Sequence, residues 1–399
     1  MTRQLKIEMN NFCLPIKISK DCDYYCALIQ KLWSYCDFIN IVQDENDIEN
    51  LFDKVYSNCS KIKECLESYY NAKYSKAQTL IKEYLDQYVD DNPYILTSIE
   101  ESYAFRGVAP KNIQPSSYRN DPDQNRIYDK MMNIPLTFYR ARTGEEHLGY
   151  KDMLHIPFNM RSKIGTYRFS IPGVPCLYLA TTSYGTWIEL RRPEYEKFNV
   201  SLFKLPKNLK VLNLCTFQDY INGSSSLEID EKEYKAVINF LEFFPLIIAT
   251  SFDILEDDRE FKSEYIISQL VMQSAKELGV DGVAYISKRE EDRSAYPIAV
   301  NLAILMPQNF DQNSKGELYW DRISEIQLTE PIKLSDFCNH GASESPLSGT
   351  CRSYVNECFA KDGAYEINIK NKKCNYYDSF FSRCDEYLAN QELKTYENM

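Results

Sequence analysis

The sequence is poor in histidine and in the short motifs that mark common metal and nucleotide sites. It has three histidines in 399 residues and no HExxH pattern, which excludes the helical zinc site of many metalloproteases. No CxxC pair occurs among its 13 cysteines, whereas zinc ribbons are built from such pairs. No GxGxxG motif follows an apolar run, which argues against a Rossmann dehydrogenase.

Long apolar runs and excess positive charge are also missing. The most apolar stretch, FFPLIIA, is far too short to cross a bilayer, and a net charge of -12 opposes attraction to nucleic acid phosphates. The opening MTRQLKIEMNNFCLPIKIS lacks the apolar core of a signal peptide. We therefore expect a cytoplasmic protein with neither a membrane nor a nucleic acid as partner.

The cysteines suggest no metal centre. In a reducing compartment thiols usually stay free and act as small buried hydrophobic groups. Cys338, His340, Cys351 and Cys358 could meet at a metal, but their spacing matches no familiar site. We expect no bound metal.

Hydrophobic residues make up 44% and charged residues 26% of the chain, so a folded globular protein is expected. The length favours more than one domain. Residues 1–106 form a helical N-terminal region in this interpretation, because apolar and aromatic residues recur at steps of three and four. Residues 107–134 are a Gly, Pro, Asn and Ser-rich linker, 135–306 a domain, and 307–399 an extension of unknown role.

Short apolar segments separated by turn residues fill the region from 135 to 306. The predicted strands are LTFYRA, KIGTYRF, PCLYLA, FNVSLFKL, LKVLNL, DGVAYIS and AVNLAILM. Long helices are predicted at 231–243 and 263–278. Strands and helices interleave in this order, so the sequence predicts an α+β (mixed α/β) fold.

The segment 166–190 groups side chains that can perform chemistry. With a hairpin turn at Pro172 and Gly173, an antiparallel register places Arg168 opposite Tyr178 on one sheet face. A Thr-Thr-Ser run then predicts a helix cap, followed by a helix that carries Glu189. Taken singly, each residue has a structural alternative, namely a surface ion pair, a core aromatic and a solvated carboxylate.

This spacing resembles the RES domain family, which is named for its Arg, Glu and Ser. RFSIPGVPCLYLA is similar to the family's segment around the arginine, and GVDGVAYISKR is similar to its late Tyr-x-Ser segment. The likeness covers about 170 residues. A bulkier Thr-Tyr precedes the arginine where family members often have Gly-Gly, and the flanking regions have no counterpart in the minimal domain.

The resemblance implies a β core similar to that of ADP-ribosyltransferase toxins and assigns residue roles. The implied catalytic residues are Arg168, Tyr178, Glu189 and Ser287, and the implied substrate-binding residues are Arg140, Arg142, Arg289 and Asn301. An arginine fork suits a pyrophosphate, a tyrosine face can stack on a flat heterocycle, and a carboxylate can stabilise a sugar cation.

The resemblance further implies that NAD⁺ is a consumed substrate, with no separate cofactor. The first hypothesis is an NAD⁺ glycohydrolase or phosphorylase of toxin or defence type, with an antitoxin or regulatory protein as a possible partner. The second is a protein ADP-ribosyltransferase, and the third is a non-catalytic RES-like interaction protein. The sequence leaves the acceptor of ADP-ribose and the oligomeric state open.

Overall fold

The structure is a computed structural model that describes most of the chain. The described residues are 3–18, 22–89, 92–111, 114, 119–215, 228–254, 259–289, 295–310, 318–340, 352–360 and 365–399. They fold into two compact units, each assembled from three segments. Unit 1 comprises Met1–Lys130, Thr166–Ile171 and Lys210–Lys288, and unit 2 comprises Met131–Gly165, Pro172–Leu209 and Arg289–Met399. The region predicted as one domain, 135–306, therefore contributes segments to both units.

Helices dominate the first part of the chain. In chain order the α-helices are α1 (Tyr24–Asn46), α2 (Leu51–Tyr70), α3 (Tyr74–Asp86), α4 (Tyr103–Arg106), α5 (Pro122–Asn133), α6 (Ser183–Glu189), α7 (Glu231–Thr250), α8 (Ile266–Glu277), α9 (Ala295–Ile298), α10 (Leu334–His340) and α11 (Phe380–Ala389). The helices predicted before residue 90 and at 231–243 and 263–278 are confirmed. Among the described residues, no helix is long and apolar enough to cross a bilayer.

The strands are short and spread along the chain. They are β1 (Arg3–Gln4), β2 (Leu96–Ser98), β3 (Phe138–Thr143), β4 (Cys176–Ala180), β5 (Phe198–Lys204), β6 (Lys210–Leu214), β7 (Glu228–Ile229), β8 (Gly282–Ile286), β9 (Val300–Leu305), β10 (Gln327–Leu328), β11 (Ile332–Lys333), β12 (Glu366–Ile369), β13 (Lys372–Asn375) and β14 (Lys394–Thr395). Helices and sheet together confirm the predicted α+β class.

Unit 1 combines a helical layer with a small mixed sheet. In the sheet β6 pairs with β8 in parallel and with β2 in antiparallel fashion. Helices α1, α2 and α3 bury apolar faces, and α2 and α8 each contact α3. Helix α7 is buried on almost every side along its second half, so it forms the centre of the unit 1 core.

Pro245 lies inside α7 and removes one helix hydrogen bond. A proline has no N–H to donate to the carbonyl four residues earlier, which here is that of Leu241. The buried Tyr35 hydroxyl donates to this carbonyl at 2.8 Å, and the Tyr84 hydroxyl lies 3.1 Å from the carbonyl of Glu242. Side chains from the neighbouring helices thus satisfy the carbonyls that a proline exposes.

Unit 2 is built on an antiparallel sheet with the strand order β14-β10-β5-β3-β4-β9. Strand β11 also pairs with β5. The pairing of β4 with β9 extends over five residue pairs, from Cys176 opposite Leu305 to Ala180 opposite Asn301. Strands β10, β11 and β14 come from the region after residue 307, so the C-terminal extension is an integral part of this sheet.

One predicted strand, KIGTYRF, is wrong. Lys163 ends a 3₁₀ helix, and Arg168 and Phe169 lie in a turn. The Ser170 hydroxyl accepts from the Tyr167 N–H and donates to the Tyr167 carbonyl, both at 2.9 Å. Such local side-chain bonds compete with strand pairing for the backbone. The register that placed Arg168 opposite Tyr178 is therefore also wrong, since Tyr178 pairs with Ala303.

Tyr35→Phe tests the role of side chains around Pro245. The change leaves the buried Leu241 carbonyl without its donor, so we expect the free energy of unfolding to fall by about 1–3 kcal/mol. In a Pro245→Ala background the new N–H can bond Leu241, and the cost of Tyr35→Phe should shrink. Denaturant unfolding followed by circular dichroism measures both, with the half-exposed Tyr56→Phe as control. Equal costs of Tyr35→Phe in the two backgrounds would contradict this account.

Candidate active site

Helix α6 begins at a threonine cap that the sequence predicted. The Thr182 hydroxyl accepts from the N–H of Gly185 at 2.9 Å and donates to the carbonyl of Ile298 at 2.5 Å. Gly185 lies so close to β4 that an added Cβ would be 3.0 Å from the Cβ of Ala180. A larger residue there would push the helix off the sheet. These contacts fix the start of the helix against the strands of unit 2.

Glu189 is the last residue of α6, and its carboxylate contacts Asn301. The Asn301 amide Nδ2 donates to Glu189 Oε1 at 2.7 Å. Asn301 is 2% exposed, whereas Glu189 is half-buried. A hydrogen bond from a buried amide fixes the carboxylate orientation. Two residues that the family resemblance assigned to the site are thus in direct contact.

Tyr178 lies on the same sheet face as Asn301. Residues directly opposite in an antiparallel pair share a face, as do alternate residues of one strand. Tyr178 is opposite Ala303, two residues from Asn301. Burial raises the pKa of the neighbouring Cys176 thiol to about 12, so this thiol is protonated at neutral pH and is a poor nucleophile.

Arg140 and Arg142 extend from β3 and contact backbone carbonyls of unit 2. Arg140 donates to the carbonyl of Tyr178 at 3.4 Å, and Arg142 donates to the carbonyl of Leu154 at 3.1 Å. Burial lowers the pKa of the nearby His155 to about 4, and the charges of Arg140 and Arg142 contribute to this fall. His155 is therefore neutral at pH 7.

Both ring nitrogens of His155 are engaged in hydrogen bonds. Nδ1 lies 2.8 Å from the carbonyl of Ile156, and Nε2 accepts the N–H of Trp320 at 3.0 Å. This pattern requires the neutral tautomer with its proton on Nδ1. His155 consequently supports the fold and offers no free nitrogen for proton transfer.

Arg168 lies in unit 1, where it is 6% exposed. Its guanidinium donates to the carbonyl of Thr250, the last residue of α7, and to that of Ile286 at 3.3 Å. It also lies 4.9 Å from the Phe169 ring centroid and 4.8 Å from that of Tyr285. A cation at a helix C-terminus and against aromatic rings is favourable on both counts. Arg168 is therefore integral to the fold of unit 1.

Ser287 directly follows β8, as the sequence predicted, and is fully buried in unit 1. Arg168 bonds the carbonyl of the preceding residue, Ile286, so these two predicted site residues lie at the same end of β8. Arg289 is half-buried in the following bend and belongs to unit 2. Of the eight residues assigned by resemblance, unit 1 holds two and unit 2 holds six.

Asp385, a fully buried carboxylate in α11, was not predicted as a site residue. It accepts from the N–H of Ser183, the first residue of α6. A signal was present, because Asp385 falls in the apolar stripe formed by Phe381, Cys384 and Leu388. An acid inside such a stripe is unusual and indicates a specific buried partner.

The described part of the chain contains no group of three His, Cys, Asp or Glu residues that could hold a metal ion. Of the four residues weighed as a metal site, Cys351 and the side chain of His340 lie outside the described residues.

Arg168→Lys should destabilise unit 1. Lysine keeps the charge but cannot reach two carbonyls with a planar fork, so we expect a loss of about 2–4 kcal/mol from a charge-assisted bond and ring contacts. Denaturant unfolding followed by circular dichroism measures this loss. Arg126→Lys, at an 81% exposed side chain of the same unit, is the control. Equal stability of the two variants would show that the Arg168 contacts contribute nothing.

The chain is similar in sequence to a curated protein and in structure to a chain of a solved complex. No family model matches the chain. Over 227 residues it is 31% identical to "Putative toxin YopC" of Bacillus subtilis (strain 168), a match that covers 54% of this chain and 50% of that protein. The chain thus spans about half the length of this curated relative.

Among solved structures, a similar chain comes from the crystal structure of the M. tuberculosis MbcT-MbcA toxin-antitoxin complex. The likeness covers 52% of this chain and 90% of that chain, with a TM-score of 0.26 and 16% sequence identity. At this TM-score the structural likeness carries no functional argument. The sequence match remains, and by it the chain is similar over about half its length to a protein named as a toxin.

Proposed function

We propose that this protein is an NAD⁺-degrading enzyme of toxin type that cleaves the bond between nicotinamide and ribose. The contact between Glu189 and Asn301, at 2.7 Å, is the observation that carries the proposal. It pairs a half-buried carboxylate with a buried amide donor on the sheet face that also bears Tyr178. The similarity to a protein named as a toxin supports the biological setting.

The reaction requires a carboxylate that stabilises positive charge, and it does not require a general acid that protonates the leaving group. When the bond between ribose C1′ and the nicotinamide nitrogen breaks, its electron pair stays on the positively charged ring, and nicotinamide leaves neutral. Positive charge develops on the sugar, and a fixed carboxylate stabilises it, as in glycosidases. A water oxygen then bonds to C1′ and loses a proton to solvent, or a phosphate oxygen takes the same place.

The protonation states of two other side chains of unit 2, Cys176 and His155, are consistent with Glu189 as the reactive group. The Cys176 thiol is protonated at neutral pH and His155 is neutral, so neither competes with Glu189 as the reactive group of unit 2. The Asn301 amide is a neutral donor, and its hydrogen bond orients Glu189 Oε1. Recognition roles for Arg140, Arg142, Arg168, Ser287 and Arg289 remain predictions from the family resemblance.

An enzyme that depletes NAD⁺ harms the cell that makes it. A neutralising protein, in the manner of an antitoxin, is therefore part of the proposal. The nucleophile decides between the proposed reaction and transfer of ADP-ribose to a protein, because both share the first bond cleavage.

Incubation of purified protein with NAD⁺, with and without phosphate, tests the reaction. Hydrolysis should release nicotinamide and ADP-ribose in equal amounts, and phosphorolysis should release nicotinamide and a phosphorylated ADP-ribose. Product separation by chromatography distinguishes them. ADP-ribose appearing on protein would favour the transferase, and intact NAD⁺ at all enzyme concentrations would remove NAD⁺ cleavage from consideration.

Glu189→Gln tests the carboxylate directly. The amide keeps the shape of the side chain and removes the charge, so we expect kcat to fall by about a hundredfold or more, the scale for deleting one electrostatic stabiliser. NAD⁺ affinity should change little, because the lost interaction belongs to the transition state. Glu194→Gln, at an exposed glutamate of the same unit, is the matched control. Unchanged kcat in Glu189→Gln would exclude the carboxylate from the mechanism.

A further inference from the structure

The C-terminal part of unit 2 packs closely on α6. The Phe381 ring of α11 lies 5.4 Å from that of Tyr184 and 5.2 Å from that of Trp187. The Tyr184 hydroxyl contacts both the N–H and the carbonyl of Asn368 in β12, at 3.3 and 3.4 Å. Two elements of the extension therefore hold the helix that ends in Glu189.

Asp385 forms the polar centre of this packing. Its two carboxylate oxygens lie 3.1 and 3.2 Å from the N–H of Ser183, and the Tyr376 hydroxyl donates to Oδ2 at 2.5 Å. The backbone carbonyl of Asp385 accepts from the Tyr139 hydroxyl at 3.2 Å. One buried residue thereby connects α11 to the start of α6 and, through Tyr139, to β3.

The Ser183 N–H needs such a partner. The first N–H groups of a helix have no acceptor within the helix, and burial makes an unmet donor costly. The Thr182 hydroxyl accepts a hydrogen bond from the N–H of Gly185, and the Asp385 carboxylate accepts one from the N–H of Ser183. From Ser183 to Glu189 the helix rises only about 9 Å, at about 1.5 Å per residue. A displacement of the first turn is therefore passed to the Glu189 carboxylate.

We propose that Asp385 is a positioning residue, which sets the place of the Glu189 carboxylate by fixing the first turn of α6. Its catalytic consequence rests on the proposed NAD⁺ cleavage, whereas its hold on α6 does not. The C-terminal extension, which had no role in the sequence interpretation, is in this proposal a necessary part of the active unit.

Protonation of the Asp385 carboxylate gives the proposal a pH dependence that can be measured. Burial raises the pKa of this carboxyl to about 7, although bonds from Ser183 and Tyr376 lower it. In the described part of the chain, the titratable groups that interact with it include Tyr139 from β3, Tyr376 before α11, and Cys384 and Glu386 beside it. Burial holds the pKa values of both tyrosines and of the Cys384 thiol well above their usual range. A pKa of about 7 lets the Asp385 carboxyl change charge near neutral pH.

Asp385→Asn in the full chain tests the kinetic consequence. The uncharged asparagine amide binds the Ser183 N–H more weakly than a carboxylate does. The start of α6 and with it Glu189 should lose alignment, so we expect kcat for NAD⁺ cleavage to fall at least about tenfold. KM should stay within about threefold, because substrate binding is not the step affected. The parent kcat should rise with pH through about 7 as the carboxylate forms, and Asp385→Asn should lose this rise. Asp378→Asn, an exposed aspartate of the same segment, should match the parent.

The Trp187 indole reports on α6 independently of catalysis. It is the tryptophan of α6, and its Nε1–H donates to the carbonyl of Pro193 at 2.9 Å. In protein labelled with ¹⁵N-tryptophan, the Trp187 indole resonance should shift in Asp385→Asn, while those of Trp33 and Trp320 should stay in place. In the parent the Trp187 resonance should titrate near pH 7. Tyr376→Phe removes a bond that favours the carboxylate, so it should move this midpoint upward.

These readouts separate the two proposals. Parent protein that leaves NAD⁺ intact overturns the proposed reaction, and the Trp187 resonance still decides whether Asp385 holds α6. An unmoved Trp187 resonance in Asp385→Asn, or parental kcat with a parental pH profile, overturns the positioning role. If Asp385→Asn does not fold, Tyr376→Phe decides, because an unchanged midpoint of the Trp187 titration contradicts the proposal.

Discussion

Helix α6 is too short to hold its own position, and the chemistry proposed for unit 2 depends on where it lies. Isolated helices shorter than about 12–15 residues are marginal in water, and α6 has 7 residues. Its place is therefore imposed by contacts with other elements, three of which lie at its first turn. Thr182 bonds the carbonyl of Ile298, Gly185 permits close approach to β4, and Asp385 takes the N–H of Ser183. These contacts determine the position of Glu189 at the end of the helix.

The same physical demand, that buried backbone groups be bonded, organises unit 1. Helix α7 carries a proline in a fully buried stretch, and side chains of α1 and α3 supply donors to the carbonyls around it. At its end Arg168 bonds the carbonyl of Thr250. Arg168 thus joins the end of α7 to the end of β8, beside Ser287. A residue expected to contact substrate is at the same time a structural element, which is why its substitution has to be judged against stability first.

The proposed reaction is consistent with the low histidine content of the sequence. A reaction whose leaving group departs neutral needs no general acid, and the protein has few histidines. The buried His155 is neutral and bonded at both nitrogens. A carboxylate oriented by a neutral amide donor keeps a fixed direction, as stabilisation of a sugar cation requires. Glu189 and Asn301 supply this pair with two side chains from one unit.

Part of the site could be predicted from the sequence because it depends on interactions between residues close together in the chain. Apolar residues at steps of three and four predicted the long helices, and short apolar segments between turn residues predicted β4, β8 and β9. The threonine cap of α6 followed from its side-chain chemistry. The failure at 163–169 was also local, since the Ser170 hydroxyl bonds the backbone of Tyr167 in a turn whose apolar pattern is typical of a strand.

Contacts between distant segments were decided only by the tertiary structure. Asn301 and Glu189 are 112 residues apart, and Asp385 and Ser183 are 202 residues apart. Residue pattern reports which face of an element is buried but not which element covers it. The sequence by itself predicted that a helix would begin in the Thr-Thr-Ser run at 181–183 and carry Glu189. Which buried partners hold that helix and orient its carboxylate was fixed by packing, because the unmet N–H of Ser183 and the lone amide of Asn301 acquire their partners only when the chain is folded.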